Sequence, residues 1–199
     1  MKITKITVQQ KNSSRYSVFI DEKYAFSLSD MALLDAKLTT GQEITAEQVK
    51  VLEETSELDK YYQKTLNLLS LRSRSAFEIE TYLKKHDCPA SSVEIILNKL
   101  SDNKYINDKE FALSWIRNRQ LLKPTSKIKL IAELNQKHVS RDTITQALEE
   151  SEVDDSTALL SIIEKKRRLS RFKDNTKLVQ YLVRQGFNYY DIKKQIDLS

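Results

Sequence analysis

Residues 126–148 read SKIKLIAELNQKHVSRDTITQAL, two apolar pairs at helical spacing with a break between them. Leu130 and Leu134 are four apart, as are Ile144 and Leu148, so each pair occupies one face of an α-helix. Ser126 stands eight before Leu134, where a short side-chain oxygen accepts from a free amide of the first helical turn. His138 falls four after Leu134, at the slot where a helix ends in a left-handed residue. The stretch predicts two amphipathic helices joined by a short turn.

The same arrangement appears on either side. Aligned on Leu83, Leu134 and Leu182, the residues four before are Ile79, Leu130 and Leu178, and the residues five after are Cys88, Val139 and Phe187. Ten after come Val93, Ile144 and Ile192, and fourteen after come Leu97, Leu148 and Ile196. The N-cap slot holds Ser75, Ser126 and Asp174, and the left-handed slot holds Asp87, His138 and Gly186. A further helical stretch precedes each cap, near 58–72, 108–122 and 157–171, with Asp108 as the expected cap of the middle one. The chain is therefore read as mostly α, a tandem array of three three-helix repeats at 58–107, 108–154 and 155–199.

Residues 1–57 follow another period. Ile6 and Val8 alternate with Thr7 and Gln9, then Tyr16, Val18 and Ile20 with Ser17 and Phe19, then Tyr24 and Phe26 with Ala25 and Ser27, a period of two that predicts three antiparallel strands. Asn12-Ser13-Ser14 and Asp21-Glu22 are the expected turns. Ser29–Lys37 is read as a short helical piece, and Thr45 with Gln48 as a capping box opening a longer helix. This is a small β-meander and helix domain.

Composition narrows the function. Two glycines in 199 residues, where average usage near ~7% would give about 14, exclude a Walker loop, a dinucleotide fingerprint and a nucleophile elbow. One cysteine and two histidines exclude an intramolecular disulfide and a Cys-rich metal site, and fit a reducing, cytoplasmic setting. The longest apolar run, Met31–Leu34, is too short for a membrane span. No catalysis and no cofactor are expected, since His138, Ser140 and Asp142 each have a turn or capping use. Net charge is −2 over residues 1–60 and +7 over 61–199, so the repeats carry the basic character.

Three basic groups stand out. Lys165-Lys166-Arg167-Arg168 with Arg171 is either a solvated helix end or a polyanion contact, with Leu169 and Phe172 left for the core. Arg117, Arg119, Lys123, Lys127 and Lys129 flank Pro124, where a helix N-terminus would add amide donors for phosphate. Arg72 and Arg74 lie beside the Ser75 cap. Trp115 and the tyrosines are read as core before base-stacking platforms, and Cys88 as buried and inert. Tyr105 and Ile106 are expected to pack between units.

The ordered set Leu71-Arg72-Ser73-Arg74-Ser75, Glu78-Ile79 with Tyr82-Leu83, Tyr105-Ile106-Asn107-Asp108 with Phe111-Ala112, and Arg184-Gln185-Gly186-Phe187 resembles the RecX family, regulators of the RecA recombinase. Gln185 stands where the family pattern usually has a second basic residue. The resemblance implies a non-catalytic, stoichiometric modulator of the RecA filament on single-stranded DNA, with Arg184 joining the candidates for filament or DNA contact. It implies suppression of ATP hydrolysis, strand exchange and co-protease activity. Double-stranded DNA is a further candidate ligand, and a monomer is expected. The rival reading is a sequence-independent DNA- or RNA-binding helical module that acts without RecA.

Overall fold

The computed structural model describes residues 1–10 and 12–197. Strands β1 (Ile3–Gln9), β2 (Asn12–Ile20) and β3 (Lys23–Ser29) form one antiparallel sheet in sequence order. Asp21 and Glu22, both with positive φ, make the two-residue turn between β2 and β3. Asn12–Ser14 are not a turn: they open β2, with Gln9 paired to Asn12, and Lys11 lies outside the described residues. Helix α1 (Asp30–Asp35) is capped by Ser29, and α2 (Ala46–Leu71) opens on the Thr45–Gln48 capping box. One continuous helix thus crosses the 57/58 boundary drawn from the sequence. Ile3, Val18, Ile20, Phe26, Leu28 and Ile44 form the core of this part.

Eight further α-helices follow among the described residues, α3 (Ala76–Lys85), α4 (Ala90–Asp102), α5 (Asp108–Leu122), α6 (Lys127–Asn135), α7 (Arg141–Glu150), α8 (Asp155–Arg167), α9 (Asn175–Arg184) and α10 (Tyr189–Asp197), with a short 3-10 turn at Ser170–Phe172. With the second half of α2 they make three three-helix repeats in tandem. The chain divides into two compact units, 1–73 with 79–105, and 74–78 with 106–199. In the first, α2 packs on β3 and on α4. In the second, Phe111, Ile116, Leu130, Leu134, Val139 and Ile144 centre one core, and Leu159, Ile163, Leu178, Leu182, Phe187 and Ile192 another.

The repeat spacing has a backbone cause. Asp87, His138 and Gly186 have φ of 59°, 54° and 88°, and the following amides of Cys88, Val139 and Phe187 donate to the carbonyls of Leu83, Leu134 and Leu182. This six-to-one closure sets the residue five after each anchor against the anchor itself, so both are apolar. Lys104 and Glu152 end α4 and α7 in the same left-handed way, with Tyr105 and Val153 donating to Leu100 and Leu148. Lysine and glutamate carry no turn signal, so these two ends are not visible in the sequence.

The three N-caps form as expected. The amide of Glu78 donates to Ser75, that of Lys129 to Ser126, and those of Thr176 and Lys177 to Asp174. Asp108 is different: Asn107 caps α5, while the Asp108 carboxylate accepts from the Ala76 amide at the start of α3. Asp155 does the same for Lys127 at the start of α6, leaving Asp154 to cap α8. Tyr105 and Leu169 are each more than half exposed, contrary to their expected burial, while Ile106 and Phe172 are buried.

Candidate functional site

Two of the three basic groups meet. Lys123 and Lys129, from the end of α5 and the start of α6, line one groove together with Lys165 and Lys166 of α8. The groove encloses about 170 Å³, and its remaining wall includes Leu122, Pro124, Ile162, Tyr181 and Phe187. Among the described residues no carboxylate lines it. Lys129 Nζ donates to Gln185 Oε1 at 2.7 Å, and Lys166 Nζ lies 4.7 Å from the Tyr181 ring centre. Lys123 and Lys165 are exposed and have no side-chain partner among the described residues. Four lysines on apolar walls without a countercharge create a focused positive potential.

The amide donors expected near Pro124 are already engaged. Asp155 Oδ1 accepts from the Lys127 amide at 2.7 Å, and Ser126 Oγ accepts from the Lys129 amide at 3.3 Å. A carboxylate already sits at the positive end of α6, so the cationic character of the groove comes from side chains.

The other candidates are held elsewhere. Arg119 Nε donates to Glu133 at 2.8 Å and its guanidinium lies 5.0 Å from the Trp115 ring centre. Arg167 donates to the carbonyls of Phe172 and Lys173, Arg168 pairs with Glu164 on its own helix, and Arg171 lies over Phe172. Arg184 donates to the Gln180 carbonyl within α9, and Arg72 to the Ser73 carbonyl. Arg74 is half-buried in the second unit, and Arg117 and Lys127 are exposed. The expected run of cations along α8 is thus divided between fold and groove.

His138 stacks on Phe77 at 3.6 Å, and Ser140 caps α7 by accepting from the Thr143 amide. Burial pushes the Cys88 thiol up, in keeping with an inert side chain. No group of three or more His, Cys, Asp or Glu among the described residues could hold a metal ion. Among them too, no helix is long and apolar enough to cross a membrane.

Two networks were not legible in the sequence. In the first unit, buried Asp59 accepts from the Ser29 amide and hydroxyl and pairs with Arg15 at 3.2 Å. The only signal is a carboxylate three before Tyr62 on the buried face of α2. In the second unit, Trp115 Nε1 donates to Glu133, and Lys137 lies 5.5 Å from the same ring while pairing with Glu78 at 2.6 Å. The largest cavity among those described, about 630 Å³ between β3 and α2, mixes Arg15, Lys60 and Lys64 with Glu53 and Glu57 and so favours no single sign of charge.

A small antiparallel sheet with its helix, followed by tandem three-helix repeats, defines a helical-repeat protein, a class whose stacked units commonly present binding faces. The chain belongs to the family of regulatory protein RecX. Residues 1–45 match the regulatory protein RecX N-terminal domain, 62–100 the first RecX three-helix domain and 107–148 the second. It is 34% identical to regulatory protein RecX of Listeria monocytogenes serotype 4a, over 94% of this chain and 71% of that one. With that of Bacillus subtilis it shares 30% identity, over 98% and 76%. A crystal structure of regulatory protein RecX superposes with a TM-score of 0.77 at 27% identity, covering 98% of both chains. That of RecX from Lactobacillus salivarius gives 0.61 at 27% identity, over 72% of this chain and 96% of the other.

Proposed function

We propose that this chain is an inhibitor of the RecA recombinase. It binds the RecA filament on single-stranded DNA and suppresses ATP hydrolysis, strand exchange and SOS co-protease activity, acting without catalysis in DNA repair and homologous recombination in the cytoplasm. The observation that supports this reading is the gathering of Lys123, Lys129, Lys165 and Lys166 in one carboxylate-free groove of a RecX-family chain. A positive groove attracts an anionic face of the filament and makes the contact salt-sensitive. On this reading the chain acts as a monomer.

The test is ATP hydrolysis by preformed RecA filaments on single-stranded DNA, titrated with this chain, beside its affinity for the same DNA alone. Inhibition well below the concentration that coats bare DNA is expected. Tight DNA binding with no effect on the filament would overturn the reading in favour of a DNA- or RNA-binding repeat module.

A further inference from the structure

The lysine groove has features that a phosphate backbone does not use. Leu122, Pro124, Ile162 and Phe187 give it apolar walls, and Leu122 is 81% exposed, a leucine that gains burial only when something docks. Its four cations are all lysines, whereas the planar fork that matches phosphate bidentately belongs to arginine. The nearby helix amides already donate to Asp155 and Ser126. At about 170 Å³ the cavity is smaller than the several hundred Å³ that hold a whole small molecule, and is suited to one anchoring side chain. Uncountered positive charge calls for a negative partner, and the apolar walls call for an anchor.

We propose that the groove takes an acidic peptide segment of a protein partner. One apolar side chain of that segment seats among Leu122, Ile162 and Phe187, with its carboxylates facing Lys123 and Lys165. This deepens the reading above, on which it rests for the groove being the partner-facing surface.

The test is fluorescence anisotropy with the full chain and three probes: a labelled peptide of Asp and Glu with one central phenylalanine, the same peptide with a central serine, and a single-stranded thymidine oligonucleotide. The phenylalanine peptide is expected to bind about tenfold or more tighter than the serine one. Leu122→Asp, and separately the double variant Lys123→Glu with Lys165→Glu, are each expected to weaken it about tenfold. These positions are exposed, and urea unfolding of each variant separates a lost fold from a lost contact. Equal binding of the two peptides, or none, overturns the proposal. So does oligonucleotide binding that Leu122→Asp abolishes while peptide binding survives, since the groove would then belong to nucleic acid. No recombinase is present in this measurement, so its failure and a failure of the ATP hydrolysis titration are read separately.

Discussion

The Ser126 hydroxyl donates to the Gln185 carbonyl oxygen at 2.6 Å while accepting from the Lys129 amide, so one side chain caps its own helix and closes the open end of a helix in the next repeat. Ser75 does the same toward Lys137 at 2.9 Å. Around each serine the same slots meet: Glu78 with Lys137 and Lys129 with Gln185 as polar pairs, Phe77 with His138 and Ile128 with Gly186 as packed ones. At the second junction Lys129 faces position 185, where a basic residue would be repelled and Gln185 instead accepts. At the third cap Asp174 accepts from the amides of Thr176 and Lys177, and a carboxylate can cap but cannot donate onward as the two serines do.

Ser126→Ala therefore removes two interactions at once. Loss of the cap costs about 1 kcal/mol, and an unpaired Gln185 carbonyl adds about 1–2 kcal/mol. Ser140→Ala, at an exposed cap, is expected to cost only about 1 kcal/mol. Urea denaturation of both variants checks the difference, and equal losses would mean that the bridge to Gln185 contributes nothing.

Gly186 has φ of +88°, and a Cβ there would lie 2.8 Å from Ser126 Oγ and 3.2 Å from Ile128 Cβ. Gly41 has φ of +92° with nothing within 4 Å. Alanine at Gly41 is expected to cost about 1 kcal/mol through backbone conformation alone. Alanine at Gly186 adds the collision, for about 2 kcal/mol or more. Thermal unfolding of the two variants separates the conformational cost from the packing cost.

These junctions explain how far the sequence can be read. Each repeat carries its own period, cap and left-handed exit within about twenty residues, so Ser75, Ser126, Asp174 and the anchors are visible from spacing alone. What joins one repeat to the next lies roughly sixty residues away, and the pairing of Ser126 with Gln185 leaves no local periodicity. The same distance hides the site. Lys123 and Lys165 converge only because the end of α5 and the side of α8 line one groove, while Arg119 and Arg167, equally basic in composition, turn inward to Glu133 and to the carbonyls after α8. The turn reading of Asn12–Ser14 failed because small polar residues serve a strand edge as readily as a loop.

Acid is expected to loosen the third repeat through Asp154. The amides of Ser156 and Thr157 and the Thr157 hydroxyl hold its carboxylate down to about 2 from 3.8, the Ser156 amide contributing most. A carboxylate lowered on folding contributes stability that is present above its unfolded value and is lost as pH falls through its folded value. The window is therefore from near pH 4 down to about 2. Asp174, lowered by the amides of Lys177 and Thr176, acts in the same direction. Thermal unfolding followed by circular dichroism across that window should show a steeper loss for the parent chain than for Asp154→Asn. Parallel curves would contradict this assignment.

Arg119 and Lys165 test whether the basic residues divide as their contacts indicate. Arg119 is partly buried, ion-paired with Glu133 and stacked on Trp115, so Arg119→Ala is expected to cost about 1–2 kcal/mol. Trp115 is the sole tryptophan, and its emission should shift when the guanidinium leaves its ring. Lys165 is exposed and unpaired among the described residues, so Lys165→Ala is expected to stay within about 0.5 kcal/mol of the parent with unchanged emission. Its effect belongs instead to binding: a higher concentration for half-inhibition of filament ATP hydrolysis and a shallower salt dependence. Should Arg119→Ala keep parent stability and emission yet lose inhibition, Arg119 would rejoin the contact surface and the groove would extend along α5.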